Sequence, residues 1–391
     1  MRNNYCKLLV VFALIVMILN PIITRAAGGA TPFNNIVFFG DSLSDNGNLY
    51  SVDFGFLPKS PPYFQGRFSN GYVWSEQLAT ILYNQSYVST VNYAVGGETA
   101  IFHNPIDGFL PYSLTASLNS YLFRTIFSDR SRALFVIWIG ANDYLPQKDP
   151  VEDQNDRNHT KRQQLVEALT HDVVANIKAT VESLIYHGGT NFLIINLPDL
   201  SKNPYAKESG MGGLLNALTV AHNAKLATTI AEIQNGYKTV NIHLFDVNKL
   251  FLTMFADIDG FNKKHNTRLT NLETACWQGG YTLMRKQAQM DENEIAQKLE
   301  AHLKTQSTPY KKNMVGEEQG RLDTKAFAHY IATSPDLGEA YAVNVSAEQG
   351  ALPCKNPDQY LYWDHIHPTT ILHGLLSKEM GGYINQNYTA G

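Results

Sequence analysis

The stretch Ile36-Val37-Phe38-Phe39-Gly40-Asp41-Ser42 decides how the rest of the chain is read. Four β-branched or aromatic residues run into a glycine. That is the pattern of a short strand buried on both faces, with Asp41 and Ser42 presented at its carboxyl end. Residues 133–139, stopped by Gly140, and residues 192–197, stopped by Pro198, have the same form. Residues 240–247 alternate in part and so belong nearer an edge. Helical periodicity separates these runs, over 74–83, over 163–187 (closed by Gly188 and Gly189) and over 214–233 (closed by Asn235 and Gly236). Pro368 suits the first turn of a last helix reaching about Asn385. Strands alternating with helices predict a three-layer α/β/α sandwich around a mostly parallel central sheet. Ligands bind such sheets beyond the carboxyl ends of the strands. Gly40-Asp41-Ser42 and Gly140-Ala141-Asn142-Asp143 are therefore expected to meet at one crevice.

The composition suits one large domain with a real core: 391 residues, 44% hydrophobic and 17% charged. The first 26 residues have a different character. Arg2 and Lys7 precede an unbroken apolar run over 8–19, and Thr24-Arg25-Ala26 follows. This is the layout of a Sec-type signal peptide, too short to span a bilayer, with cleavage expected after Ala26. Cys6 would leave with it. Export is the expectation, with residues 27–391 as a single mature domain. Losing Arg2, Lys7 and Arg25 takes the net charge from −4 to about −7, which offers no electrostatic help toward nucleic acid or an anionic membrane. The two remaining cysteines, Cys276 and Cys354, are expected to form a disulfide in an exported chain. Closing a loop of roughly 80 residues is worth ~4.5 kcal/mol by loop-entropy arithmetic. Inside that loop, residues from about 281 to 325 are rich in Lys, Glu, Gln, Asn and Asp, with one amphipathic helix candidate over 292–303. They read as a polar insertion on a single core.

Far downstream of Ser42 the chain reads Trp363-Asp364-His365-Ile366-His367-Pro368-Thr369. Together the two segments supply a serine nucleophile, an imidazole base and a carboxylate to orient it. His367 and His365 compete for the role of base. Asp364 precedes His367 by three residues, a spacing at which a turn brings carboxylate and ring side by side; His365, adjacent to Asp364, would point elsewhere. Four segments form an ordered set: Gly40-Asp41-Ser42-Leu43, Asn92-Tyr93-Ala94-Val95-Gly96-Gly97-Glu98-Thr99, Gly140-Ala141-Asn142-Asp143 and Asp364-His365-Ile366-His367. In content and order they resemble the SGNH (GDSL) hydrolase superfamily. Gly66-Arg67-Phe68-Ser69-Asn70-Gly71 and Asn196-Leu197-Pro198-Asp199-Leu200 extend the likeness to its secreted bacterial glycerophospholipid–cholesterol acyltransferase and lysophospholipase A branch. The resemblance implies a flavodoxin-like sheet, Ser42 as nucleophile, His367 as base and Asp364 as its partner. It also implies an oxyanion hole from the Ser42 N–H, the Gly97 N–H and the Asn142 side chain, with Gly96 as the alternative to Gly97. Asp41 and Asp45 are read as braces of the serine loop. The Gly-x-Ser-x-Gly elbow of an ordinary α/β-hydrolase is missing from the sequence; so are His-Glu-x-x-His, Cys-x-x-Cys and the Walker loop, so no metal and no cofactor is implied.

The expected reaction is removal of a fatty acyl chain from a phospholipid or lysophospholipid at a membrane or micelle surface, through an acyl-enzyme that can also be transferred to cholesterol. A carbohydrate O-acetyl esterase and a catalytically silent binding protein are the alternatives. The aromatic stretch over 50–74 (Tyr50, Phe54, Phe56, Tyr63, Phe64, Phe68, Tyr72 and Trp74) could form an acyl channel, touch lipid or simply pack the core. The Cys276–Cys354 loop, with its cleavable Lys311-Lys312, Glu317-Glu318 and Arg321, could cover the crevice until an extracellular protease nicks it, or be inert.

Overall fold

A computed structural model describes residues 32–102, 113–150, 159–278, 280–281, 290–305 and 322–391. The expected signal peptide and the cleavable stretch around 311–321 lie outside these residues. Five strands form the main sheet: β1 (Asn35–Gly40), β2 (Ser89–Asn92), β3 (Ala133–Trp138), β4 (Asn191–Ile195) and β5 (Asn241–Phe245). All four pairings are parallel, and the order β2-β1-β3-β4-β5 puts the half-alternating β5 at an edge. Two further strands, β6 (Asn271–Ala275) and β7 (Tyr360–Tyr362), pair in parallel as a separate ribbon. The sequence reading contains neither β2 nor this ribbon. β2 is Ser89-Thr90-Val91-Asn92, polar and largely exposed at the other edge, so it carries no apolar run.

Helices α1 (Trp74–Ser86), α2 (Leu114–Arg124), α3 (His159–Tyr186), α4 (Gly212–Gly236), α5 (Glu292–Thr305), α6 (Thr324–Thr333), α7 (Pro335–Glu348) and α8 (Thr370–Asn387) complete the parts used below. Strand alternation sends neighbouring side chains to opposite faces. Phe38 meets the Trp74 ring of α1 edge-on at 5.3 Å, while Phe39 meets Tyr121 of α2 at 5.8 Å. α1 packs with α8, and α3 packs with α4, so helices cover both faces of the sheet in a three-layer α/β/α sandwich. Pro368 does not enter the first turn of α8. The helix starts at Thr370, after Thr369, because Pro368 is bridged to Tyr362 at the end of β7.

The Cys276–Cys354 loop, which runs past the expected insertion at 281–325 to include α6 and α7, is less polar than that insertion's composition suggests. α5, α6 and α7 bury Ile295, Leu299, Phe327, Ile331, Leu337 and Val343 in a second apolar cluster, apart from the sheet's core. Leu49, Leu57, Tyr63 and Phe68 join that cluster, so part of the aromatic stretch forms the seam between insertion and sheet. Cys276 and Cys354 are disulfide-bonded. The Cys276 and Trp277 N–H groups donate to the carbonyls of Tyr362 and Trp363 at 3.0 and 2.8 Å. The base of the insertion is thereby tied to the segment that carries Asp364 and His367.

Candidate active site

Ser42 lies just beyond β1, next to β3, where the chain reverses direction across the sheet, the usual ligand position in this topology. The strand ends in a tight turn, with Ser44 and Asp45 N–H both donating to the Asp41 carbonyl. The Asp41 carboxylate accepts from Leu43 N–H at 3.1 Å. The buried Asp45 carboxylate accepts from the N–H groups of Gly47, Asn48 and Leu49, and from Gly96 N–H in the loop after β2. Burial pushes Asp45 up to about 6, against the pull of those N–H donors. Burial, helped by the nearby Asp336 carboxylate, pushes Asp41 up to about 8.

The loop from β7 to α8 brings an imidazole to Ser42. Asp364 Oδ1 accepts from the N–H groups of Ile366 and His367, closing a turn of the kind Asp favours. That turn lays Asp364 Oδ2 against His367 Nδ1 at 2.8 Å, and His367 Nε2 then lies 3.1 Å from Ser42 Oγ. The contact joins residues 325 positions apart. Tyr63, not singled out for chemistry in the sequence, donates its hydroxyl to the same Asp364 Oδ2 at 2.5 Å. Phe68 packs its ring 4.9 Å from that of His367. His365 turns away: its Nδ1 meets Glu339 at 2.7 Å and its Nε2 meets Glu208 at 2.8 Å. Burial disfavours the charged form of His365, but Glu339 and Glu208 outweigh it and push the ring up to about 11.

Gly97 and Gly96 serve different needs. Gly97 adopts φ +80°, in the left-handed region where a side chain is strained, and this turns its N–H toward Ser42's neighbourhood. Gly96 N–H is already engaged by Asp45, and a Cβ on Gly96 would run into Phe68 at 2.3 Å. Asn142 Nδ2 donates to the Glu98 carbonyl at 3.0 Å. Asp143, beside it, accepts from Ala100 and Ile101 N–H, so the loops after β2 and β3 are stitched together.

One group at the centre has no counterpart in the sequence reading. Asp336, in the first turn of α7, is 1% exposed and points its carboxylate into the site. Its Oδ1 accepts from Ser42 Oγ at 2.8 Å and meets His367 Nε2 at 2.5 Å. Its Oδ2 accepts from Gly97 N–H at 2.8 Å and from Asn142 Nδ2 at 3.5 Å. The Ser42 N–H makes no hydrogen bond to this carboxylate among the described residues. Burial opposes a charged His367, but the carboxylates of Asp364 and Asp336 outweigh it and hold the ring well above its usual pKa. Asp364 is itself held below the usual carboxylate range: burial pushes it up, and the adjacent imidazolium with its hydrogen bonds wins.

The cavity at Ser42 is narrow, about 50 Å³, and takes its walls from Leu43, Trp138, Leu145, Leu200, Phe251 and Ile366 among others. None of the aromatic residues of 50–74 lines it. Of the readings open for that stretch, packing accounts for Tyr63, Phe68 and Trp74, while Phe54 and Tyr72 stay exposed.

A phosphatidylcholine-sterol acyltransferase of Aeromonas hydrophila is 30% identical over 370 residues, covering 93% of this chain and 94% of its own length. Lipase 1 of Photorhabdus luminescens is 25% identical across 93% of this chain, which spans 52% of that longer relative. A solved M. smegmatis aryl esterase covers 55% of this chain and 85% of its own, at 17% identity and a TM-score of 0.34. The family model described as GDSL-like Lipase/Acylhydrolase matches residues 36–380. The chain belongs to the GDSL lipase/acylhydrolase family, and its chemistry is that of an ester hydrolase.

Proposed function

We propose that the chain is a secreted serine esterase that removes a fatty acyl group from phospholipids or lysophospholipids and can pass it to cholesterol. The observation that carries this reading is the 3.1 Å approach of His367 Nε2 to Ser42 Oγ, with Asp364 on the other ring nitrogen. In the reaction Ser42 Oγ attacks the ester carbonyl as His367 takes its proton. Asp364 stabilises the imidazolium that forms. Gly97 N–H and Asn142, with the Ser42 N–H, receive the developing oxyanion. His367 then returns the proton to the leaving alcohol. Water, or a sterol hydroxyl, resolves the acyl-enzyme by the same steps in reverse.

A lipid substrate is supported by the apolar walls of the cavity and by the likeness to the Aeromonas phosphatidylcholine-sterol acyltransferase. No helix among the described residues is long and apolar enough to cross a membrane. The partners this reading calls for are that surface, a sterol where transfer occurs, and an extracellular protease acting in the Cys276–Cys354 loop. Mass analysis of products from vesicles of mixed phospholipid and cholesterol tests it, before and after limited proteolysis. Free fatty acid, lysolipid or cholesteryl ester is the expected outcome. Release of acetate from acetylated sugars, with no action on the vesicles, would overturn the lipid reading.

A further inference from the structure

We propose that Asp336 is a built-in product carboxylate that holds the active site shut: α7 inserts it where the carboxylate of a released fatty acid would sit. This rests on the assignment of Ser42 and His367 made above. Ester hydrolysis ends with a carboxylate beside the serine, one oxygen in the oxyanion hole and the other near the base. Asp336 reproduces that placement. Oδ2 holds the Gly97 and Asn142 donors, and Oδ1 holds Ser42 and His367. A proton on His367 Nε2 is bonded to Oδ1, so the ring cannot at the same time accept the serine's proton. Nucleophile, base and two oxyanion donors are all occupied by one side chain.

A structural role at the start of a helix does not explain this placement. A carboxylate in the first turn of a helix would ordinarily serve that helix's own N–H groups, yet each hydrogen bond described for Asp336 leaves α7 for the other side of the crevice. Burying it costs heavily unless its charge is met, and the groups that meet it are those the reaction needs. The remaining space agrees. About 50 Å³ accommodates a few waters, not a fatty acyl chain.

α7 is pinned in this position. Glu339, three residues after Asp336 and fully buried, accepts from Tyr281 N–H at 2.7 Å and His365 N–H at 3.1 Å, and pairs with the His365 ring. Tyr330 of α6 donates its hydroxyl to the Gly97 carbonyl. α6 and α7 together therefore grip Gly97 on both its N–H and its C=O. Opening requires α7 to withdraw as part of the second apolar cluster, leaving the sheet and the Asp364–His367 turn in place.

The test compares the full chain with Asp336→Ala, Asp336→Asn and Glu339→Gln. Each is exposed to a small fluorophosphonate, modification of Ser42 is timed by mass spectrometry, and melting is followed alongside. Asp336→Ala is expected to label about tenfold faster or more, as the loss of charged hydrogen bonds implies. Asp336→Asn should fall between it and the parent, and Glu339→Gln should label faster with Asp336 still in place. Asp336→Ala that melts cooperatively and labels no faster overturns the proposal. So does acceleration by Glu339→Gln alone, which would assign closure to the helix and not to the carboxylate. If Asp336→Ala does not fold, Asp336→Asn labelling at the parent rate overturns it instead. Absence of Ser42 labelling in all four proteins would remove the nucleophile assignment and the proposal with it, whereas fast labelling of the parent, equal to that of the variants, would remove the proposal alone.

Discussion

Two carboxylates flank the His367 ring, and they arrive there by different routes. Asp364 sits three residues away, on a turn that its own Oδ1 closes, within the segment anchored between β7 and α8. Asp336 comes from α7, inside the Cys276–Cys354 loop but beyond the expected insertion, and reaches the ring from the second apolar cluster. At 2.8 and 2.5 Å the two contacts look alike as ion pairs. Their connection to the rest of the molecule separates them. The first belongs to the turn that holds the ring itself, while the second, under the proposal above, leaves when α7 withdraws with the second apolar cluster. A carboxylate–imidazole contact is proposed as a catalytic device on the Nδ1 side of the ring and as an obstruction on the Nε2 side.

That comparison breaks most visibly with opposite signs of effect. Asp364→Asn should lower kcat for a soluble short-chain ester by roughly 10⁴-fold, as loss of the orienting carboxylate does in other serine triads. A small loss would mean that Asp336, not Asp364, orients the ring. Asn142→Ala tests the shared oxyanion donors and should cost roughly 10²–10³ in kcat. An unchanged kcat would place the oxyanion elsewhere. Asp336→Ala should instead raise kcat/KM for that ester by about tenfold.

Removing Asp336 should also move the pH profile. The ring faces Asp364, Asp336 and Ser42, with Asp41 and His373 within electrostatic reach. A base works in its neutral form, and a raised pKa keeps it protonated to higher pH. Taking away one of two carboxylates lowers that pKa, so the acidic limb of kcat/KM should shift to lower pH in Asp336→Ala. A limb that stays in place would mean that Asp336 does not hold the proton on His367. The smallest effect is expected from Tyr63→Phe, which removes one hydrogen bond to Asp364 and should lower kcat up to about tenfold with KM unchanged. A change in KM alone would make Tyr63 a packing residue.

Legibility in the sequence followed the range of the interactions. β1, β3 and β4 could be read because strands buried on both faces must be apolar throughout. β2 could not, because an exposed edge strand of four polar or small residues has no such constraint. His367 could be told from His365 by its spacing from Asp364 together with the family resemblance. The Asp41 and Asp45 carboxylates stand close to Ser42 in the chain, and their roles as loop braces are visible from that closeness. Tyr63 and Phe68 were visible only as members of an aromatic stretch. Which ring meets Asp364 and which packs on His367 depends on how that stretch folds against the insertion.

What the residues alone determined is the chemistry held within a few positions: a strand that must stop at Gly40 and present Ser42, and a turn that must join Asp364 to His367. These follow from backbone conformation and local hydrogen bonding, which a short stretch of sequence specifies. Only the tertiary structure decided that Asp336, 294 positions from Ser42, fills the crevice between them. A Ser-Pro-Asp helix start has the same local form wherever it occurs. Its meaning here comes from the packing of the second apolar cluster, a long-range outcome that no local pattern encodes.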